Sequence, residues 1–269
     1  MRKPRTFEDV IATIERRIAA DGLTVGDRLP GERQLAEELQ VGRSSVREAL
    51  RVLETLGVVS SQAGRGPDAG AVLTSRPESA LADLLRLHLG TASLSLGEVI
   101  ATRLMIEQWA VQHVDAPEGL EVMRSALEAM EQAGDARAFV DHDVTFHLGV
   151  ALLSGNRLLA ATMRALRQTI HAYSVAAVEA AGRTDVLMAD HWRIYDLVVA
   201  RDGNGAARAI ADHLDHAYPA LATPSPSDPP PTDPPLADAS PTDPPLADAS
   251  PTDPPLANPA PSRRRPDAG

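Results

Sequence analysis

Apolar residues recur at helical spacing along nearly all of residues 7–218, and this periodicity restricts the fold more than any other feature of the sequence. Only 3% of the residues are aromatic, so the core must be built from Ala, Leu, Val and Ile, a composition that we interpret as favouring helix over strand. From residue 78 to residue 218 the pattern predicts six or seven helices joined by short breaks, as in an antiparallel bundle. The breaks are predicted at Gly90–Ser95, Asp115–Pro117, Gly134–Asp135, Gly155–Asn156, Gly182–Thr184 and Gly203–Gly205.

The N-terminal segment has a different pattern, in which three short helices are followed by a small hairpin. Gly57 ends the third helix, and the two strands flank a Gly-rich turn at residues 64–70. We therefore expect a mostly α-helical protein in three parts, at residues 1–76, 77–222 and 223–269. The helices of the first part are predicted at residues 7–21, 32–39 and 43–56, and its strands at 58–61 and 71–74.

The third predicted helix separates an apolar face from an arginine face. Arg43, Arg47 and Arg51 stand at positions i, i+4 and i+8, and two serines occupy the first turn. Arginines at a helix N-terminus can reach phosphates or pair with guanine in the major groove. A short helix, a tight turn and an arginine-lined helix followed by a hairpin are typical of a winged helix-turn-helix. For any single arginine, the alternative of solvating the surface and pairing with a neighbouring glutamate stays open. The predicted core positions of this helix are Val46, Ala49, Leu50 and Leu53.

Residues 223–269 are rich in proline and repetitive. The unit at residues 231–240 recurs at 241–250 and, with changes, at 251–260. Proline at this density removes backbone donors, and one leucine per repeat cannot build a core, so we predict a disordered tail. It is either a solubilising segment or a docking tail that ends in Arg263–Arg265.

The net charge of −11 is unevenly distributed along the chain. Residues 1–76 carry 12 Lys or Arg and 11 Asp or Glu, so the acidic excess lies in the rest of the sequence. We expect contact with DNA to be confined to the N-terminal part, and an architectural DNA-binding protein would need a far more basic chain. The absence of cysteine excludes a thiolate metal site. With no signal-peptide pattern and no run of about 18 apolar residues, we expect a soluble, cytoplasmic protein without a membrane partner.

Four polar side chains of the predicted bundle can meet at one level. Asp143 and His147 are four residues apart and share one helix face. They lie about 18 and 12 Å before the break that ends their helix. His191 lies about 18 Å before the last predicted break, and His213 lies about 15 Å after it. In an up-down bundle, this break and the one at residue 155 fall at the same end. Three imidazoles and one carboxylate suit Zn²⁺, Ni²⁺ or a similar divalent ion with positions left for a ligand.

The spacing leaves alternatives to this metal site open. A single histidine on a half-polar helix is more often an ordinary surface or core residue than a ligand. His142 and His216 also compete as ligands. His142 points about 100° away from Asp143 on the helix, whereas His216 lies one turn from His213 and is the stronger rival.

Several runs of the N-terminal segment match a known pattern: Leu29–Ala36, Val41–Leu50, Gly57–Val59 and Gly64–Gly66. Over about residues 7–75 the chain resembles the GntR family of transcription regulators. Gly42 stands where the family usually has Ser or Thr, and the turn at residues 67–70 is longer than usual and carries an acid. Both departures bear on the operator sequence rather than on the fold. The resemblance implies that operator DNA is contacted by Arg33, Arg43, Ser44, Ser45, Arg47 and the wing residues Gly64, Arg65 and Gly66.

The rest of the chain resembles the effector-binding domain, called FCD, of the FadR branch of that family. The matching runs are Arg103 with Glu107, Asp143–His147 with Ser154–Asn156, Asp190–Ile194, and Ala206–Ala207 with His213–Leu214. The resemblance implies that a divalent metal helps to hold a carboxylate metabolite, with Arg103 as a clamp for the carboxylate. An ordinary helix ion pair between Arg103 and Glu107 is the alternative. The implied metal ligands are Asp143, His147, His191 and His213.

Together these patterns predict a homodimeric repressor on double-stranded operator DNA, with an affinity that a small carboxylate effector changes. The alternative is a metal-dependent enzyme that uses the Asp and His cluster of the bundle. The sequence has no His-Glu-x-x-His motif, nucleophile elbow or Gly-rich phosphate loop. We therefore expect that the protein is not an enzyme.

Overall fold

The computed structural model describes residues 7–61, 71–182 and 184–219. Ten helices and one hairpin make up this part of the chain, which confirms the predicted mostly helical fold. Seven of the helices follow residue 76, within the six or seven predicted there. None of the helices in these ranges combines the length and apolar character needed to cross a membrane. The elements are α1 (Phe7–Asp21), α2 (Glu32–Leu39), α3 (Arg43–Thr55), β1 (Val59–Ser61), β2 (Ala71–Leu73), α4 (Pro77–Gly90), α5 (Leu96–Gln112), α6 (Glu118–Glu131), α7 (Ala136–Leu152), α8 (Arg157–Ala181), α9 (Thr184–Val199) and α10 (Gly203–Ala217).

The N-terminal helices pack around α3, and the hairpin follows directly. Strands β1 and β2 pair antiparallel, with Val59 opposite Leu73. The predicted core face of α3 is buried, so its arginines lie on the outer faces. The predicted wing turn at residues 64–70 and the tail from residue 223 fall outside the described residues. The buried apolar residues of this unit are Val10, Ile14, Leu29, Leu35, Ala36, Val46, Ala49, Leu50, Leu53, Val59, Ala71 and Leu73.

Polar caps at the helix N-termini explain several of the predicted breaks. Ser95 and Glu98 form a reciprocal capping box at α5, and Asp135 accepts the Ala138 amide at α7. Asn156 caps α8 by accepting the amides of Leu158 and Leu159. These side chains satisfy helix N–H groups that would otherwise have no partner.

The last predicted break was placed wrongly, because Gly203–Gly205 form the first turn of α10. Asp202 caps this helix by accepting the Gly205 amide. A Cβ atom on Gly203 would lie 2.9 Å from the carbonyl oxygen of Val111 on α5. Glycine therefore serves here for close packing of two helices rather than for a turn.

A second apolar cluster, separate from the N-terminal one, fills the space between α5, α6, α7, α8, α9 and α10. Phe146, Met123 and Ile194 are fully buried at its centre. Helix α7 packs against α5, α6 and α8, and α10 packs against α5 and α9. The helices that carry Asp143, His147, His191 and His213 are therefore fixed against one another by an apolar core.

The α6–α7 contact depends on two glycines. A Cβ atom on Gly119 would lie 2.6 Å from the carbonyl oxygen of Gly149 and 2.8 Å from the Leu153 amide nitrogen. Real Cβ atoms do not approach backbone this closely, so the two helices are in contact through their main chains. This contact sets the position of α7 and hence of the two candidate ligands on it.

Replacing Gly119 by alanine is expected to lower the free energy of unfolding by about 1–3 kcal/mol, because the helices must separate to admit the methyl group. Urea denaturation of the full chain measures the change. Gly134→Ala is the matched control, since a Cβ atom there meets nothing within 4 Å and the glycine has no left-handed backbone. Equal unfolding midpoints for the two variants would contradict the close contact.

Candidate metal centre and nucleic-acid interface

Helices α7, α9 and α10 bring Asp143, His147, His191 and His213 together in the interior. All four are buried, and one ligand atom from each lies within 4.8 Å of the others. The convergence inferred from spacing is therefore present in the structure. Their role as metal ligands stays a prediction.

The distances within the cluster are short. Asp143 Oδ1 lies 2.9 Å from His191 Nε2 and 3.2 Å from His147 Nε2. The two Nε2 atoms are 3.4 Å apart. The ring of His213 lies 4.3 Å from the ring of His191, measured between centroids. Three imidazoles and one carboxylate thus surround a common point, which is a donor set that suits zinc or nickel.

Glu107 on α5 orients one of these histidines. Its Oε2 accepts a hydrogen bond from His147 Nδ1 at 2.6 Å, and its Oε1 accepts one from Arg103 Nε at 2.6 Å. Burial alone would raise the pKa of Glu107, but His147 and Arg103 outweigh it and lower the pKa to about 2. An ionised carboxylate can only accept, so His147 carries its proton on Nδ1 and turns Nε2 toward the cluster.

Arg167 on α8 orients Asp143 in a similar way. Its Nη2 donates to Asp143 Oδ2, which leaves Oδ1 facing the histidines. Burial would raise the pKa of Asp143, but the Arg167 guanidinium and His147 hold it well below its usual value. The carboxylate is therefore ionised and has one oxygen directed into the cluster.

The other two histidines are neutral at pH 7. Burial lowers the pKa of His191, and it lowers the pKa of His213 to about 3. Within the described part of the chain, the Nδ1 atoms of both rings are buried without a hydrogen-bond partner. Asp190 Oδ2 lies 3.7 Å from His213 Nδ1, too far for a hydrogen bond. Neutral imidazole is the form that binds metals.

The two rival histidines lie outside this group. His142 is half-buried on α7 and is not among the converging residues. The side chain of His216 is 44% exposed, and its Nδ1 lies 2.8 Å from Asp190 Oδ2. The four residues selected from their spacing are therefore the four whose side chains converge.

A cavity of about 20 Å³ adjoins the cluster, with room for about one water molecule. Two buried arginines, Arg103 and Arg167, line it, together with Ser174 and Tyr218. Arg103 Nη2 and Arg167 Nε are buried and have no partner among the described residues. Arg103 forms the helix ion pair with Glu107 that the sequence left open, and its role as a carboxylate clamp stays a prediction.

Sequence reasoning missed Arg167, Ser174 and Tyr218. A signal for the first two was present, because Met163, Arg167, Ile170 and Ser174 follow one another at helical spacing on the buried face of α8. An arginine at a core position needs a partner and therefore indicates a site. Nothing in the sequence marked Tyr218, which follows the end of α10.

The side chains predicted to contact DNA lie on or near α3. Arg43 and Ser44 are exposed, and Ser45 is half-buried. Arg47 is exposed and lies 2.9 Å from Glu32, measured from Nη2 to Oε2. The wing residues Gly64, Arg65 and Gly66 lie outside the described residues. Arg33 is 75% exposed and lies 3.7 Å from Glu37. The arginine face is therefore open to solvent rather than packed against the acidic bundle.

Comparisons with known proteins agree with this architecture. Residues 6–67 match the family described as "Bacterial regulatory proteins, gntR family", and residues 98–216 match the FCD domain. The chain is 30% identical over 225 residues to the "HTH-type transcriptional repressor NanR" of Salmonella newport (strain SL254), covering 79% of this chain and 84% of that protein. The chain belongs to the GntR family of bacterial transcription regulators. Its FCD domain places it in the FadR-like subfamily.

Other relatives of this GntR protein match over a similar length. The "Exu regulon transcriptional regulator" of Escherichia coli (strain K12) is 26% identical over 219 residues, which are 79% of this chain and 83% of that protein. A solved structure of Streptococcus agalactiae GntR matches with a TM-score of 0.58 at 22% identity, over 80% of this chain and 99% of that one, and shows the same fold. These relatives are regulators, which confirms that the protein is a DNA-binding transcription regulator and not an enzyme.

Proposed function

We propose that this GntR protein is a repressor whose affinity for operator DNA changes when a small carboxylate metabolite binds beside a divalent metal ion. The observation that carries the proposal is the buried cluster of Asp143 and three histidines next to unpartnered arginine donors. The name of a 30% identical relative, a transcriptional repressor, supports repression rather than activation.

The metal would be held by Asp143, His147, His191 and His213, with zinc or nickel as the expected ion. With Nδ1 hydrogen-bonded to Glu107, His147 turns Nε2 toward Asp143 Oδ1 at 3.2 Å. A divalent ion at this point would be bound by the Asp143 oxygen together with the deprotonated Nε2. When bound, the ion supplies a Lewis-acidic position for a carboxylate oxygen.

The charges of the site support an anionic effector. Arg103 and Arg167 balance the ionised Glu107 and Asp143, and the buried histidines His191 and His213 are neutral. A divalent ion would therefore leave an excess of positive charge in a buried space. An anion offsets such an excess, and Arg103 Nη2 offers it a hydrogen bond from a position on the cavity wall.

DNA binding is assigned to the N-terminal unit, for which we keep the boundaries 1–76, followed by an effector domain at 77–222 and a tail at 223–269. A single winged module reads few base pairs, so a homodimer on a two-fold operator is proposed. The contacting residues are proposed to be Arg33, Arg43, Ser44, Ser45, Arg47, Gly64, Arg65 and Gly66.

A route from the effector domain to the DNA-binding unit runs through α4. Helix α8 carries Arg167 and packs against α4, and Thr169 Oγ1 donates to the Ala82 carbonyl at 3.3 Å. At the start of α4, the Arg76 amide donates to the Gly57 carbonyl at 3.1 Å. A shift of α8 on effector binding would therefore be passed to the end of α3. Small rotations of two modules alter their fit to fixed half-sites.

Arg43→Ala and Arg47→Ala are expected to weaken binding to an operator by about 1–3 kcal/mol each, through loss of phosphate or base contacts. The operator is first selected from a random duplex pool with the wild-type chain, and affinities are then measured by fluorescence anisotropy. Arg124→Ala is the control, because Arg124 is an exposed arginine on α6 paired with Glu128 at 3.0 Å. If both α3 variants bound as tightly as this control, the assignment of the DNA-binding face would be lost.

The double variant His191→Ala, His213→Ala is expected to lose the metal, because two of four ligands are removed. Protein purified without chelator is compared by native mass spectrometry and elemental analysis. His142→Ala, which removes a half-buried histidine of α7 outside the cluster, should keep one metal ion per chain. Undiminished metal in the double variant would refute the site.

A further inference from the structure

The cavity beside the cluster is too small for the effector proposed above. Its volume of about 20 Å³ holds about one water molecule, whereas a carboxylate metabolite has several heavy atoms. Part of the wall must therefore move before an anion can reach Arg103 Nη2. This step rests on the proposed function, since it concerns the same site.

Only one side chain of the described wall lies outside a helix. The remaining lining residues belong to α5, α7, α8, α9 and α10, each of which is held by the apolar core. Tyr218 directly follows α10, is only 5% exposed, and precedes the exposed Pro219. Moving Tyr218 requires a change in the chain only after the last turn of α10, whereas moving any other wall residue would disturb a packed helix.

The hydroxyl of Tyr218 occupies the position between the two buried guanidinium groups. Its oxygen lies 3.5 Å from Arg103 Nη1 and 3.4 Å from Arg167 Nη1. Both distances exceed the 2.7–3.2 Å range of good N–H···O bonds. The closest polar partner of the hydroxyl is Ser174 Oγ at 2.9 Å.

Apart from their ion pairs with Glu107 and Asp143, the two buried guanidinium groups share only one weakly bonded, neutral oxygen at this position. Each arginine also has a buried nitrogen without a partner in the described residues, Arg103 Nη2 and Arg167 Nε. A carboxylate at the same position would accept shorter, charge-assisted bonds from both groups, which are about twice as strong as neutral ones. An anion can therefore outcompete the phenol hydroxyl for this position.

We propose that Tyr218 is the gate of the effector site and that its hydroxyl holds the place of the effector carboxylate. Entry of an anion displaces the hydroxyl from between Arg103 and Arg167, and the Tyr218 side chain leaves the cavity. The exchange breaks the hydrogen bond to Ser174 and separates the ring from Tyr173, whose centroid is 6.2 Å away.

Fluorine NMR of the full chain, loaded with zinc and labelled with 3-fluorotyrosine, tests the gate directly. The protein has three tyrosines, so three signals are expected, and Tyr218→Phe identifies the one from Tyr218. Acetate is the probe. On its addition the Tyr218 signal should narrow and move toward that of free 3-fluorotyrosine, as a residue that enters solvent does. The Tyr195 signal, assigned with Tyr195→Phe, is the control, since this ring packs on Trp192 outside the cavity lining.

Isothermal titration calorimetry of acetate into the same protein distinguishes failure of the gate from failure of the carboxylate site. Acetate binding without a change in the Tyr218 signal would overturn the gate and leave the proposed function standing. A zinc-loaded protein that does not bind acetate would overturn the carboxylate site and the gate together.

A variant without the gate gives a second, independent measurement. Tyr218→Ala should bind acetate about tenfold more tightly than the wild type, because no hydrogen bond to Ser174 has to be broken and the space is open. Its melting curve shows whether it is folded, and the fluorine experiment does not depend on it. Equal or weaker binding by a folded Tyr218→Ala would mean that the hydroxyl contacts the bound anion and is not displaced by it.

Discussion

The pairing of buried charges is the constraint on which the effector domain depends. Glu107, Asp143, Arg103 and Arg167 are all at least nine-tenths buried, and each carboxylate is held by one of the arginines. An unpaired charge in such a place would cost several kcal/mol, so α5, α7 and α8 have to meet in one register. This arrangement leaves one oxygen of Asp143 and one nitrogen of His147 directed at the same point. Helices α9 and α10 then add two neutral histidines.

The same pairs connect the candidate metal centre to the proposed anion position and to the rest of the effector domain. Arg103 reaches the cavity through one nitrogen and Glu107 through another, so the proposed effector clamp and the orientation of His147 share one ion pair. Arg167 belongs to α8, which packs on α4 next to the DNA-binding unit. If the proposed metal and effector bind here, their sites and the DNA-binding unit would be coupled through these few contacts, as linkage between binding sites requires.

Much of this was predictable from the sequence because the helical period is regular and the capping residues are local. The bounds of α1, α2 and α3 and the convergence of the four cluster residues follow from spacing alone. The Gly203 break was wrong because a glycine needed for close helix packing has the same appearance as one in a turn. Arg167 and Tyr218 were missed because their partners come from other helices, and single-sequence patterns do not show which helices meet. Comparison with relatives was needed to establish the family.

We propose that four side chains from three helices enclose one divalent ion. X-ray diffraction from crystals of the zinc-loaded chain, collected at energies on either side of the zinc absorption edge, tests it most directly. We expect one anomalous peak per chain, within about 2.0–2.2 Å of a carboxylate oxygen of Asp143 and ring nitrogens of His147, His191 and His213. A zinc peak bound elsewhere on the chain, with none among these residues, would contradict it.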